Sequence, residues 1–372
     1  MFLAFAELRR AKARFALLAG AVGLLAFLIL AQQALRDSLL DSFVGGIRSQ
    51  SADVLVFNVD GRRFLQSSAI TPGLESAVRS ADGVGAVGRL WQGTFPVTAD
   101  GEVTAVAVAG YDTEGVGSPG TIVEGRLPAA PGEVVANQAD ADRGFAVGDV
   151  VTVEPAGLEL SVVGLAADAG LNVSPTVWTT AATYVDVART RNPELDEGLR
   201  PNALAVEAGD GSDPATVVER LNAADPDVDA LTASDAAARN PAVLSIQQSF
   251  GIIFVLFAAV VPLVVGLFFL IITTQKAPTL TLLRAVGAPA RRLGAGVLVQ
   301  VGVVLGAGLA LAVAAYTVFA SRRIDGLAVG FDGRAVVSWT VALLVLGLVS
   351  AVASVRRVLA VEPAAALAGG DR

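Results

Sequence analysis

The chain has 372 residues, of which 53% are hydrophobic, and a formal net charge of −8. It contains no cysteine and no histidine, and its single methionine is the first residue. The sequence therefore excludes disulfides, thiolate chemistry, Ser-His or Cys-His catalysis and most transition-metal sites. Its mean hydropathy of +0.62 is high for a soluble protein and indicates membrane-spanning segments.

The charges are divided unevenly along the chain. Residues 41–245 carry 29 acidic and 12 basic side chains, whereas the remainder carries 6 acidic and 15 basic ones. An acidic, water-soluble block is thus inserted into a basic membrane protein. This block disfavours a nucleic-acid partner, because surfaces that bind phosphates are basic.

Four apolar runs are long enough to cross a bilayer as helices, at about 15–31, 250–272, 293–320 and 335–355. Basic residues without acidic neighbours follow the second and fourth runs, which places those segments and both termini in the cytoplasm. A cleaved signal peptide is the alternative for the first run. Apolar residues that repeat every four positions from Leu35 to Ile47 instead predict a helix that continues out of the membrane as a stalk.

From about residue 52 the hydrophobic pattern changes to a period of two, which is typical of strands. Strands are predicted at 53–57, 95–98, 103–108, 133–136, 150–153, 160–163 and 176–179. Helices are predicted at 71–80, opened by Thr71, at 214–222, and at 235–239, capped by Ser234. The predicted fold class is a membrane protein with four transmembrane helices and an α+β extracytoplasmic domain, in one or two lobes, between spans 1 and 2.

The predicted organisation follows from these boundaries. In chain order it comprises a cytoplasmic amphipathic helix (1–14), span 1 with its stalk (15–48), the extracytoplasmic domain (49–233), a second stalk with span 2 (234–273), a cytoplasmic coupling loop (274–292), span 3 (293–320), an outer loop (321–334), span 4 (335–355) and a cytoplasmic tail (356–372). The predicted location is a bacterial cytoplasmic membrane, crossed several times.

The loop between spans 2 and 3 contains a predicted short helix. Pro278 suits its first position, Gly287 a left-handed end, and Pro289 prevents continuation. A helix of two turns is not stable alone in water, so it is expected to dock on a cytoplasmic partner. The residues predicted to make this contact are Lys276, Leu280, Leu283, Arg284, Val286 and Gly287.

Span 3 carries small residues at every fourth position: Gly302, Gly306, Ala310 and Ala314. Such a ladder allows helices to approach closely, so it is predicted to serve helix packing; a substrate groove is the alternative.

A nucleotide site is not expected in this chain. A phosphate-binding P-loop requires a glycine before its lysine, and neither Lys12 nor Lys276 follows a glycine. The glycines at 83–88 are interpreted as a turn. The acidic run at 225–229 is interpreted as a solvated loop, with a calcium site as the alternative.

Three stretches carry a resemblance to a known family. LTLLRAVGAPARRL at 280–293 is similar to the cytoplasmic loop of the FtsX-like ABC permeases, the class of the MacB macrolide exporter. VEPAAALAG at 361–369 resembles the closing motif of that class, and EGRLPAAPGEVVANQAD at 124–140 resembles its outer domain. The order of one span, a large ectodomain and three further spans also agrees. TTQKAPTLTLLRAVGA is most similar to the HrtB haem-exporter and DevC glycolipid-exporter branch.

The resemblance implies a homodimeric permease, embedded in membrane lipid and served by a separate ABC ATPase subunit that binds ATP and Mg²⁺. The short cytoplasmic helix then transmits motion from the ATPase, and the stalks carry it to the ectodomains. The permease itself is then no enzyme and holds no cofactor. Its cargo is expected to be amphipathic or lipid-like, haem included.

Two other classes remain open at this stage. The first is an FtsX-type transmembrane regulator that moves an extracytoplasmic partner, such as a cell-wall hydrolase, without cargo. The second is an anchored binding module or receptor whose spans only hold it in the membrane. Asp37 and Asp41, just beyond span 1, are candidate oxygen ligands for haem or simply solvate the stalk.

Overall fold

The computed structural model describes residues 12–112, 115–195, 198–285, 289–321, 323–324, 327–328 and 330–359. The chain divides into two compact units. One contains the long apolar helices. The other, here called the outer domain, consists mainly of Asp37–Gln248.

Among the described residues, four helices are long and apolar enough to cross a membrane, over Phe15–Ser49, Pro241–Leu267, Leu298–Ala320 and Gly333–Ser350. The others are short and belong to the outer domain. In chain order the helices are α1 (Lys12–Ser49), α2 (Pro72–Arg79), α3 (Ala181–Arg191), α4 (Pro214–Ala224), α5 (Ala233–Ala238), α6 (Pro241–Ala285), α7 (Ala290–Ala320) and α8 (Gly333–Leu359).

The outer domain is built on one sheet, to which ten strands contribute in the described part of the chain. The strands are β1 (Val54–Asn58), β2 (Val84–Ala99), β3 (Glu102–Tyr111), β4 (Thr121–Gly125), β5 (Glu133–Asn137), β6 (Val150–Val153), β7 (Leu158–Ala167), β8 (Thr176–Thr180), β9 (Ala203–Ala208) and β10 (Val228–Thr232). Their order is β10-β1-β9-β2-β3-β8-β5-β7-β4, and β6 pairs with β2 and β7. Short strands β11 (Arg323–Ile324) and β12 (Leu327–Ala328) pair separately.

The sheet has a lobe at each end and a shared core between them. At the β10-β1-β9 end, α2 and α4 cover Val54, Val56 and Val206. At the other end, α3 packs on strands that bury Val97, Phe145 and Leu160, among others. The shared core includes side chains from the last turns of α1. Because strands alternate their side chains between faces, the same sheet serves all three clusters.

The unit of apolar helices has its own core. Gly23 of α1 and Gly308 of α7 allow a close backbone approach: a Cβ on Gly308 would lie 2.8 Å from the carbonyl oxygen of Ala19, and one on Gly23 would lie 2.9 Å from that of Gly308. Outward-facing side chains such as Ile252 and Leu263 are largely exposed in the single chain. That pattern suits helices surrounded by lipid.

Most of the predicted outer-domain elements are confirmed. All seven predicted strands exist, although β2 is much longer than expected because it begins at Val84, within the stretch interpreted as a turn. Thr71 caps α2 as predicted, by accepting from the N–H of Leu74. The cap of α5 is Thr232 rather than Ser234, since the Thr232 hydroxyl accepts from the N–H of Asp235.

The prediction of a separate cytoplasmic helix beginning at Pro278 is wrong. Helix α6 runs without interruption from Pro241 to Ala285, so residues 274–285 continue the helix of span 2. A proline inside a helix removes one hydrogen bond and bends the backbone, but it does not force the helix to end. The next described residue, Pro289, precedes α7 in an extended conformation. Residues 1–11 and 360–372, which include the amphipathic start and the closing motif, lie outside the described residues.

Candidate functional site

The end of α1 is held along its side by a loop of the outer domain. The loop covers residues 168–174 and is here called the stalk clasp; the part of α1 that lies in the outer domain is the stalk. The backbone N–H of Gly46 donates to the carbonyl oxygen of Gly170 at 2.9 Å. In the opposite direction, the N–H of Asn172 donates to the carbonyl oxygen of Phe43 at 3.2 Å. The clasp therefore bonds to the helix through backbone atoms.

Two further bonds extend the contact along the stalk. The N–H of Val173 donates to the carbonyl oxygen of Ser42 at 3.0 Å. About two turns later, the hydroxyl of Ser49 donates to the carbonyl oxygen of Asp168 at 2.8 Å. The contact thus spans the last two turns of α1 rather than a single point.

Consecutive glycines in the stalk make this approach feasible. A Cβ on Gly45 would lie 2.8 Å from the carbonyl oxygen of Asp168. A Cβ on Gly46 would lie 2.8 Å from ring carbon Cζ2 of Trp178 and 3.0 Å from the carbonyl oxygen of Ala169. Any side chain at either position would push the clasp away from the helix.

The clasp holds a strained backbone. Asp168, Asn172 and Val173 have φ angles of 49°, 56° and 58°, in the left-handed region. This conformation is costly for a β-branched residue such as Val173 and persists only where the surroundings enforce it. The bonds to the stalk and to the domain supply that constraint.

A buried polar network anchors the clasp to the outer domain. Asp140 accepts from the side-chain amide of Asn137 at 3.1 Å and from the backbone N–H of Thr176 at 3.2 Å. Asn137 in turn accepts from the N–H of Ala169 at 3.2 Å. The indole of Trp178 donates to the carbonyl oxygen of Ala169 at 2.9 Å. The clasp is therefore fixed on one side to the domain and on the other to the stalk.

Asp140 is the most buried acidic group of this network. Burial raises the pKa of its carboxyl above the ordinary value, while the hydrogen bonds from Asn137 and Thr176 and the charge of Arg143 oppose the rise. Arg143 lies 3.4 Å from the carboxylate. A buried carboxylate with these partners is costly to leave unpaired, so the network is expected to break as a unit.

The strand that leads to Asn137 is fixed at its start by an exposed ion pair. Glu133 accepts from the Arg126 guanidinium at 2.7 Å and from the N–H groups of Ala129 and Ala130 at 2.8 and 3.0 Å. The Arg126 hydrogen bond, with the backbone bonds, lowers the pKa of Glu133 to about 2. The clamp closes the loop between β4 and β5.

The second helix that leaves the outer domain is attached differently. Asn240, which precedes α6, accepts from the N–H of Ala242 at 3.0 Å and donates to the carbonyl oxygen of Arg63 at 3.4 Å. Arg63 forms a paired contact with Asp229, with Nε–Oδ2 and Nη2–Oδ1 distances of 2.7 and 3.1 Å. Asp229 is thus a member of a strand and an ion pair, and it does not lie in a solvated loop. No group of three or more potential metal ligands occurs in the described part of the chain.

The residues predicted to contact a cytoplasmic partner are only partly described. Lys276, Leu280, Leu283 and Arg284 lie in α6. Val286 and Gly287 fall outside the described residues. Their role therefore stays a prediction.

The small-residue ladder of span 3 is largely uncovered in the part of the chain that the structure describes. Gly306, Ala310 and Ala314 are exposed, and a Cβ on Gly302 would meet no atom within 4 Å. The Gly23–Gly308 approach, which sequence reasoning missed, is the one that brings α1 and α7 together. Asp41, considered as a ligand, instead pairs with Arg48 at 2.7 Å.

Sequence reasoning also missed the clasp. One signal was available in residues 124–140, the stretch that resembles the outer domain of the FtsX-like ABC permeases. There the polar residues Asn137 and Asp140 follow the apolar run of the predicted strand 133–136. A second signal was the Gly45-Gly46 pair within an otherwise apolar helical repeat. Neither signal identifies the loop that these residues hold, because residues 168–174 are distant in sequence.

The four apolar helices, with an α/β extracytoplasmic domain between the first and the second, define a multi-pass membrane protein. Residues 15–224 match the family of the MacB-like periplasmic core domain, and the chain belongs to that family. It is accordingly a permease of the MacB/FtsX-like ABC transporter type, a membrane subunit of a kind that works with an ABC ATPase subunit.

Two solved structures are similar to the outer domain. The periplasmic region of MacB from Actinobacillus actinomycetemcomitans is 14% identical, covering 50% of this chain and 92% of its own, with a TM-score of 0.36. The extracellular domain of the noncanonic ABC-type transporter YknZ from Gram-positive bacteria is 11% identical, covering 48% and 98%, with a TM-score of 0.33. No curated protein matches the sequence.

Proposed function

We propose that the chain is the permease subunit of an exporter, in which ATP hydrolysis by a separate ATPase subunit drives extrusion of an amphipathic or lipid-like substrate. The observation that carries the proposal is the stalk clasp. It grips α1 along two turns through backbone hydrogen bonds and the Ser49 hydroxyl, so a movement of the stalk is expected to pass to the sheet rather than be lost in a flexible linker. ATP and Mg²⁺ bind the partner in this scheme.

The cytoplasmic contact is proposed to lie at the end of α6 and the turn that follows. Because α6 is continuous to Ala285, a force applied there acts on a helix that begins at Pro241 in the outer domain. Leu280 and Leu283 are three residues apart and share one helix face. That face is proposed to enter a groove on the ATPase, with Arg284 beside it.

A second copy of the chain is proposed as a further partner. The exposed ladder of Gly306, Ala310 and Ala314 offers a surface on which another helix can approach closely. Lipid is proposed to cover the remaining apolar exposure, for example at Ile252 and Leu263. In cells this corresponds to a bacterial cytoplasmic membrane with both chain termini inside.

The cargo is proposed to be amphipathic because the apolar helices have few charged residues to line an aqueous pore. The similarity to the HrtB and DevC branch supports the same class of cargo. A membrane regulator without cargo makes a different prediction for export, and the experiment below separates the two.

The test combines Leu283→Asp with Thr281→Asp, which places the same charge on the other side of the same helix. The chain and its cognate ABC ATPase subunit are co-expressed, and co-purification and export of fluorescent lipid analogues are measured. Leu283→Asp is expected to lose both, and Thr281→Asp to retain both. Retention of both by Leu283→Asp would contradict the proposed contact. Co-purification and ATPase stimulation without any export by the wild type would favour a cargo-free regulator.

A further inference from the structure

A small cavity lies where both long helices join the outer domain. It has a volume of about 60 Å³ and is here called the junction pocket. Its buried floor includes Ile47 of the stalk, Leu171 of the clasp and Asn240 before α6. An occupant would therefore contact both helix attachments at once. A single water needs roughly 10–15 Å³ by the same measure, so the pocket has room for several heavy atoms.

One of the lining residues carries a buried, unsatisfied polar group. Gln92 of β2 lines the pocket and is only 5% exposed. Its side-chain Nε2 is buried and has no hydrogen-bond partner among the residues that the structure describes. Buried amides are almost always paired in native proteins, so an unpaired one beside a cavity indicates a partner that enters from outside.

The chemistry of the lining restricts what that partner is. The side chains around the pocket are uncharged, and the nearby Arg63 is already paired with Asp229. A charged group would lose its hydration here without gaining a counter-ion. A hydroxyl both donates and accepts, so it satisfies a carboxamide in either orientation.

The rim is amphipathic. Phe64, which is 40% exposed, offers an apolar surface at the mouth. Gln66 and Ser67 lie beside it as exposed polar residues, and the side-chain amide of Gln66 donates to Thr94 at 2.8 Å. A molecule whose polar end reaches Gln92 can thus lay an apolar part against Phe64.

We propose that the junction pocket binds the uncharged, hydroxyl-bearing head of an amphipathic molecule, with Gln92 as its hydrogen-bond partner. The binding itself is a property of the outer domain and requires no ATPase. The further statement that such a molecule is the exported cargo rests on the proposed function. A failure of export and a failure of binding are therefore separate results.

The test uses the full chain in lipid nanodiscs and hexane-1,2-diol as the probe. Because the chain has no cysteine, Ser67→Cys places a single, nearly isosteric thiol at the rim. Ser76→Cys, exposed on α2, is the matched control. The diol is expected to slow the reaction of Ser67→Cys with N-ethylmaleimide severalfold and saturably, and to leave Ser76→Cys unchanged. Hexanoate and hexylammonium, with the same chain length, are expected to protect much less.

Gln92→Leu, added to Ser67→Cys, is expected to abolish protection by the diol. Without the diol it should keep or raise the thermal midpoint, since it removes an unpaired donor. Asn222→Leu is the contrasting control, because both ends of the Asn222 amide are bonded to Ala230, and its midpoint should fall. The proposal is overturned if the diol gives no protection, if all three probes protect equally, or if Gln92→Leu lowers the midpoint as Asn222→Leu does.

Discussion

The two helices that enter the outer domain are attached to it in opposite ways. Helix α1 is held laterally over two turns, by backbone bonds at residues 42–46 and by the hydroxyl of Ser49, in an approach that two glycines make possible. Helix α6 is held at its first turn, through the side chain of Asn240 and the carbonyl of Arg63 and by Val243, which is buried in the shared core. A lateral contact over two turns resists both rotation and bending of the helix, whereas a contact at the first turn constrains the rest of the helix less.

This difference assigns distinct mechanical roles to the two connections. The outer domain and the stalk are expected to move as one body, whereas α6 is expected to change its angle more easily at its contact with the domain. The ion pair between Arg63 and Asp229 stabilises the α6 contact, because it fixes the loop whose carbonyl oxygen accepts a hydrogen bond from Asn240. Breaking each contact separately therefore tests the comparison.

The largest effect is expected for Gly46→Ala. The added methyl meets the Trp178 ring at 2.8 Å and the Ala169 carbonyl at 3.0 Å, both within a packed region. Overpacking of this kind costs about 1–3 kcal/mol. Thermal unfolding in nanodiscs should show a lower midpoint, and limited proteolysis should show earlier cleavage in the clasp.

Gly20→Ala is the control for that change. It lies in the same helix, and a Cβ there meets no atom within 4 Å. Its midpoint should equal or slightly exceed that of the wild type, because alanine favours helix more than glycine does. Equal behaviour of the two variants would show that the clasp does not grip α1.

A smaller effect is expected for Asn240→Ala. The change removes the side-chain cap of the first turn of α6, and loss of such a cap costs about 1 kcal/mol. Hydrogen exchange should increase at Ala242 while the clasp amides remain protected. Asn240→Asp, which keeps an acceptor for the Ala242 N–H, should restore most of the protection. Increased exchange at Gly46 as well would mean that the two attachments are not independent.

The smallest effect concerns the Arg126–Glu133 clamp, which is remote from both attachments. The folded-state pKa of Glu133, about 2, lies below its ordinary value of 4.5. A depressed pKa stabilises the fold above the unfolded-state value, and this contribution disappears as the pH falls from about 4.5 to about 2. The effect is modest because the pair is exposed to solvent.

Glu133→Gln removes this titration. The variant should be less stable than the wild type at neutral pH, and the two thermal midpoints should converge as the pH approaches 2. Arg126→Gln, which removes the main cause of the shift, should flatten the same part of the curve. An unchanged pH dependence in both variants would contradict the clamp.

Patterns within short stretches predicted much of the fold. Alternating apolar residues identified β1, β3 and β5, and Thr71 with Pro72 identified the start of α2, because these signals act within one turn or one strand. The missed strands β4, β9 and β10 form by pairing with neighbouring strands of the sheet. Pairing partners far apart in sequence leave little local trace.

The candidate site was predicted less well for a related reason. The stalk was recognised from its four-residue repeat, but the clasp depends on contacts between residues more than one hundred positions apart, such as Ser49 and Asp168. The preference of proline for the first turn of a helix also led to a wrong prediction of a helix start at Pro278. Helix α6 instead continues through Pro278, because the residues on both sides favour a helix more strongly than one proline disfavours it.

The continuity of α6 has a consequence for its angular phase. Its 45 residues form a helix about 67 Å long, in which each residue advances the backbone by about 1.5 Å and about 100°. One residue inserted midway would turn every later side chain by that angle, including Leu280 and Leu283. Seven inserted residues would nearly restore the phase while lengthening the helix by about 10 Å. The angular phase of the proposed contact face is thus encoded in the number of residues that separate it from the start of α6.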